Sequence, residues 1–142
     1  MGQPLPCAPS VRVLLAEDDS EMRRLLTRAL TRDGHKVVAV ENGLALLALL
    51  HADRAAAIPF DLLVTDLRMP GMGGLAVIRE LRAWGSSLPI LLITAFSTEE
   101  TLAMASDLNV AAVFSKPFDI DDLRTAVLYV LDGSRCRPGR LR

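Results

Sequence analysis

Residues 61–94 read DLLVTDLRMPGMGGLAVIRELRAWGSSLPILLIT, and this stretch decides the fold. Residues 61–66 form an apolar run of strand length that ends on Asp66. A glycine-rich loop follows at residues 69–74. Over residues 75–84, Leu75, Ile78 and Leu81 fall on one side of a helix. Residues 89–94 are a second run, almost purely aliphatic, ending on Thr94. Neither run alternates apolar with polar residues, so each is expected to be buried on both faces. A helix between two such strands makes them parallel, joined by a right-handed crossover.

The same pattern extends in both directions. Upstream, residues 11–16 are a strand that stops at Glu17-Asp18-Asp19-Ser20. Met22, Leu25, Leu26, Ala29 and Leu30 then mark one helical face. Asp19 or Ser20 caps that helix and Gly34 ends it. Residues 36–40 are a second strand, and Asn42-Gly43 is a turn signal. Residues 44–50 read as a helix with leucines around its circumference, and residues 53–60 as a loop closed by Pro59. Downstream, Thr98 or Ser97 caps a helix opening with Glu99-Glu100, whose charges suit a helix N-terminus. Residues 110–115 are a fifth strand, broken by Lys116-Pro117. A last helix starts at Asp119 or Asp121, runs to about Leu131 and is ended by Gly133. Five strands alternating with five helices imply an α/β, doubly wound parallel sheet of the flavodoxin-like type, strand order 2-1-3-4-5. The expected organisation is a disordered leader at residues 1–10, one domain at 11–132 and a basic flexible tail at 133–142.

Composition narrows the function classes. The chain has 142 residues, of which 51% are hydrophobic but only 4% aromatic, so aliphatic side chains must make the core. A net charge of −1 carries no footprint for nucleic acid. No apolar run approaches the roughly 20 residues of a membrane helix. The first ten residues lack a basic start and an apolar stretch, so no signal peptide is read and a cytoplasmic location is expected. Cys7 and Cys136 lie near the two ends, without CxxC or a nearby histidine. They read as free thiols rather than as a disulfide framework or a zinc site.

Ligands of such a sheet sit outside the carboxyl ends of its strands. Glu17-Asp18-Asp19 follow the first strand, Asp66 ends the third, Thr94 ends the fourth and Lys116 follows the fifth. Carboxylates brought together repel, and at least one pKa rises unless a cation intervenes. An all-oxygen cluster suits Mg²⁺. Lys116 supplies a point charge for a phosphoryl oxygen and Thr94 a hydroxyl donor. Together these are the parts for phosphoryl transfer to an aspartate. Taken singly, each has a plainer reading: Asp66 a cap, Thr94 a strand end, Lys116 a solvated lysine, Asp19 the cap of the first helix. His35 and His51 read as surface residues, and Trp84 as packing over the end of its helix. No GxxxxGK[ST] occurs, so the glycines around Pro70 read as loop flexibility.

Four strings carry a resemblance to a known family. Val13-Leu-Leu-Ala-Glu17-Asp18-Asp19-Ser20 resembles the first acidic motif of bacterial response-regulator receiver domains. Leu62-Leu-Val-Thr-Asp66-Leu-Arg-Met-Pro70-Gly-Met-Gly-Gly74 is similar to their phosphoacceptor strand and loop. Leu91-Leu-Ile-Thr94-Ala95 is similar to the hydroxyl motif, and Lys116-Pro117-Phe118 to the lysine motif. The resemblance spans residues 11–131. It implies that Asp66 is the phosphoacceptor, that Asp18 ligates Mg²⁺ directly and Glu17 through water, and that Asp66 and the Arg68 backbone carbonyl complete the metal site. It implies that Thr94 closes on the phosphoryl oxygens, that Lys116 pairs with them and that the Lys116-Pro117 bond is cis. The implied role is a signalling phosphoacceptor rather than an enzyme. A histidine kinase or phosphotransfer protein would phosphorylate it, and a single-domain regulator would act through protein contact.

The implied output surface is the fourth helix, fifth strand and fifth helix, with Leu102, Leu108 and residues 122–130. Kinase docking would use the first helix near Met22 and Arg23, and the loop at Pro117. Three positions depart from the family pattern. Val113 stands where many receivers have a switch aromatic, and Phe114, one residue later, should face the opposite side. Gly73 replaces a frequent acid. Asn109 replaces a frequent turn glycine, but Asn tolerates positive φ. Arg68 and Phe96 are expected to flank the approach of hydrolytic water and to slow loss of the phosphoryl group. The second helix, with Leu44, Leu46, Leu47, Leu49 and Leu50, has more leucines than one protomer can bury.

Overall fold

A computed structural model describes residues 11–56 and 58–135. The elements are β1 (Arg12–Ala16), α1 (Ser20–Arg32), β2 (Lys36–Val40), α2 (Gly43–Asp53), β3 (Leu62–Asp66), α3 (Gly74–Ala83), β4 (Ile90–Thr94), α4 (Glu99–Asp107), β5 (Ala112–Ser115) and α5 (Ile120–Arg135). All strand pairings are parallel, in the order β2-β1-β3-β4-β5. This is the expected doubly wound α/β architecture.

Successive side chains leave a strand on opposite faces, so the sheet builds two cores. Leu14, Leu63 and Leu92 face one way and pack with Leu46, Leu50 and Ile78 of α2 and α3. Val13, Leu15, Val64, Leu91 and Ile93 face the other way, against Leu26 and Leu30 of α1 and Leu123 and Val127 of α5. Fully burying such a side chain stabilises the fold by about 1.5–3 kcal/mol. Burial on both faces holds for β1, β3 and β4, whereas the edge strands β2 and β5 are only partly covered. Among the described residues, no helix is long and apolar enough to cross a membrane.

Asp19 caps α1 through Glu21 N, and Thr98 caps α4 through Thr101 N. Gly34 follows α1 at φ +96°, and Asn109 turns the chain at φ 60°. Asn42-Gly43 is a cap rather than a free turn: the Asn42 carboxamide accepts from Ala45 N at 2.8 Å, and α2 starts at once. Gly43 is required there, because a Cβ would overlap the Met72 carbonyl oxygen. That close approach sets the loop after β3 against the start of α2. As expected, α2 cannot bury all its leucines: Leu46 and Leu50 are buried, while Leu44 is 63% exposed.

Several expectations need correction. Gly133 does not end the last helix, which continues to Arg135. A mid-helix glycine costs only about 1 kcal/mol, too little to stop a helix anchored by Leu123, Val127 and Leu131. The helix therefore reaches into the segment read as tail. Residues 1–10 and 136–142, with Cys7 and Cys136, lie outside the described residues. The fifth strand starts at Ala112, because the Val110 amide is still bonded to Ala105 O at the end of α4. His35 is not a surface residue: it is 8% exposed, and its Nε2 has no hydrogen-bond partner among the described residues. Burial lowers its pKa. His51 is exposed, but its ring lies 4.4 Å from that of Trp84, which also carries the Arg54 guanidinium at 4.6 Å. Leu108 is half-buried and packs on the core, so it is a poor member of a contact surface.

Candidate functional site

The carboxyl ends of β1, β3, β4 and β5 deliver the residues singled out above to one rim. Asp66 closes β3 and is 4% exposed. The Lys116 ammonium reaches it from the end of β5, 2.9 Å from Oδ2. The same ammonium lies 3.1 Å from Glu17 Oε1 and 3.4 Å from Oε2, just past β1. One cation thus bridges two carboxylates that are 99 and 50 residues away in sequence. The Lys116-Pro117 bond is cis.

Glu17 is fully buried. Burial pushes its carboxyl up to about 7 and the neighbouring Asp66 charge adds to the rise, against the pull of the Asp19 amide and of Lys116. The Asp19 N–H donates to Glu17 Oε2 at 3.0 Å, while Oε1 has no hydrogen bond in good geometry among the described residues. For Lys116, burial pulls the pKa down, but hydrogen bonds to Asp66 and Glu17 outweigh it and the net shift is upward.

Carboxylate oxygens of Glu17, Asp18 and Asp66 all lie within 4.8 Å of one another, with Asp18 exposed and the other two buried. A buried carboxylate oxygen without a hydrogen bond, facing a cluster of hard oxygen donors, is what a divalent cation satisfies. The described geometry at Arg68 is its amide, which donates to Asp66 Oδ1 at 3.3 Å.

Thr94 is fully buried at the end of β4, one residue past Ile93, the register partner of Asp66. Its hydroxyl accepts from Phe96 N at 2.8 Å, which leaves its own proton free to donate. The Lys116 amide donates to Thr94 O at 2.7 Å, tying the hydroxyl-bearing strand end to the lysine-bearing one.

Above the rim, the Arg68 guanidinium stacks on the Phe96 ring at 4.0 Å. Sequence reading named both residues but not their contact. Two other features escaped it. Arg23 donates to the backbone carbonyls of Glu17 at 2.9 Å and Asp18 at 3.4 Å, clamping the acidic loop. The Ser97 and Ser115 hydroxyls bond to each other beside Lys116. Neither pairing has a sequence signal, since one ties a helix residue and the other a strand residue to a loop through ordinary polar groups. On β5, Val113 packs into the core shared with α3 and α4. Phe114 faces the other core, 6.0 Å from Phe118. The aromatic therefore does not substitute for Val113.

A family model described as the response regulator receiver domain matches residues 13–128. The transcriptional regulatory protein TctD of Salmonella typhimurium is 39% identical over 113 residues, 80% of this chain and 48% of that protein. The sporulation initiation phosphotransferase F of Bacillus subtilis is 27% identical over 116 residues, 82% of this chain and 90% of that protein. The chain thus spans about half the length of TctD and nearly all of the phosphotransferase. Among solved structures, the non-phosphorylated HemR receiver domain from Leptospira biflexa superposes with a TM-score of 0.73 at 25% identity, covering 85% of this chain and 94% of that one. The Francisella response regulator 1452 receiver domain shares the fold, with a TM-score of 0.79 at 22% identity over 87% of this chain and 98% of that one.

Proposed function

The chain belongs to the response regulator receiver family, and on that premise we propose that Asp66 is the residue that takes the phosphoryl group in two-component signalling. The observation that carries this reading is the single ammonium of Lys116 set between Asp66 and Glu17 within an acidic cluster. A carboxylate oxygen of Asp66 attacks the phosphorus of a phosphohistidine on a histidine kinase or phosphotransfer protein. The O–P bond forms as the P–N bond breaks, and the imidazole leaves.

Mg²⁺ fits the oxygen-only cluster of Glu17, Asp18 and Asp66, to which the Arg68 backbone carbonyl would add a further ligand, and when bound it would neutralise charge on the phosphoryl oxygens. The chain's own residues do the positioning. Lys116 exchanges its carboxylate partner for a phosphoryl oxygen. Thr94 donates its free hydroxyl proton to another. Arg23 and the Asp19 amide hold the acidic loop in place. In this reading the protein catalyses only its own phosphorylation and dephosphorylation, in the cytoplasm. It signals through contacts on α4, β5 and α5, where Leu102 is exposed.

The test is intact mass after incubation with acetyl phosphate and Mg²⁺, for the wild type and Asp66→Asn. The expected result is one metal-dependent phosphoryl adduct, absent from the variant. Val113 at the switch position favours a second reading, in which contact with partners does not depend on phosphate. A folded wild type that forms no adduct would favour it.

A further inference from the structure

α1 carries four arginines, and Arg24, Arg28 and Arg32 recur at every fourth residue. That spacing puts them in one row on the helix, a repulsive arrangement for like charges. All three are exposed. The ion pairs among the described residues engage Arg12, Arg23, Lys116 and Arg124, and none of these three. Asp33, the acid next to Arg32, gives both oxygens to Arg124. The row flanks a groove of about 850 Å³ that runs the length of α1, with Arg23, Thr27 and Ala39 of β2 also lining it.

Ala39 brings the sheet edge into the groove. Among the described residues, β2 has β1 as its sole neighbour. Lys36 N bonds to Val11 O, and Val40 O accepts from Glu17 N, so these residues turn their backbone groups towards β1. By alternation, the N–H and C=O of Val37 and Ala39 face outward. The strand has no proline and no bulge to blunt that edge, which is a template for another strand.

We propose that the groove between α1 and β2 binds an acidic, extended segment of a partner protein. The segment adds as a strand to the outer edge of β2 and sets its carboxylates against Arg24, Arg28 and Arg32. The spacings agree: alternate residues of a strand repeat about every 6.6 Å, and every fourth residue of a helix about every 6 Å. A peptide with an acid at every second position therefore keeps step with the arginine row. The surroundings favour a short acidic peptide over nucleic acid. Exposed Asp19, Glu21 and Glu41 lie at the Ser20 end of the row and would repel a longer polyanion, and among the described residues no aromatic side chain lines the groove to stack a base.

The probe is a fluorescein-labelled eight-residue peptide of alternating valine and glutamate, titrated by anisotropy and followed in amide NMR spectra of the full chain. Saturable binding that weakens with salt is expected, with shifts at Val37 and Ala39. The double variant R24E/R28E should bind about tenfold more weakly or worse, while its phosphoryl adduct on Asp66 is unchanged. R24K/R28K, which keeps the charge, should retain most of the affinity. The proposal is overturned by no binding, by equal binding to R24E/R28E, or by shifts confined to another face. An oligothymidine of matched charge that binds as tightly as the peptide would reassign the groove to nucleic acid.

Discussion

Lys116 holds two carboxylates that would otherwise repel each other, and its removal should be felt twice. Lys116→Met leaves Glu17 and Asp66 buried beside each other without a counter-charge. A loss of about 1–3 kcal/mol is expected in metal-free urea titrations, partly restored by Mg²⁺, together with loss of the phosphoryl adduct. An unchanged urea midpoint would show that Glu17 simply takes up a proton instead. A second prediction concerns the lid made by Arg68 and Phe96. Phe96→Ala removes the ring on which the guanidinium rests, so the adduct should decay several times faster, as read by mass against time. Equal decay would remove the pair from the path of water. At this scale the sequence was most informative where strand ends place chemistry. Asp66, Thr94, Lys116, Glu17 and Asp18 all stand where their strands predicted. It was least informative about Arg23 and His35. A clamp onto backbone carbonyls leaves no trace in residue pattern, and the burial of one histidine beside a turn is decided by elements far away in the chain.

Among the elements, α1 and α5 are clasped by a two-pronged contact. Arg124 Nε donates to Asp33 Oδ2 at 2.9 Å and Nη2 to Oδ1 at 2.6 Å, across 91 residues of sequence. The guanidinium holds the Asp33 carboxyl below its usual range, and the pairing raises Arg124 in turn. Arg124→Ala should lower the melting temperature. Arg124→Lys should recover only part of the loss, since an ammonium cannot reproduce the planar fork. Full recovery would reduce the contact to simple charge attraction. The elements themselves were legible from periodicity and caps, and the parallel sheet from uninterrupted apolar strands alternating with helices. Their limits were less so. Asn42 begins a helix where the dipeptide suggests a turn, and α5 runs through Gly133, because packing outweighs a weak local preference.

For the molecule as a whole, acid is the informative perturbant. The lowered pKa of His35 comes from burial. The unfolded chain therefore binds the proton more readily once pH falls to about 6.5. The stability that neutral His35 contributes is complete above that pH and is lost as pH drops through the lower folded value. Glu17, raised to about 7, acts with the opposite sign: its contribution is complete at low pH and is lost as pH rises. Comparing urea midpoints of wild type and His35→Gln between roughly pH 7.5 and 5.5 isolates the histidine. The wild type should lose more stability on acidification than the variant. Parallel profiles would mean that His35 titrates freely.

The strand order also has a history. β1 is made first yet lies inside the sheet, and its second neighbour, β3, is translated only after β2 and α2. β5 comes last and brings the site's ammonium with it. On the ribosome, then, the acids of the rim emerge well before their counter-ion. Docking of the final strand and neutralisation of the rim become a single late event, and a chain cut short before Ala112 lacks both an edge of its sheet and the charge that lets its acids sit together.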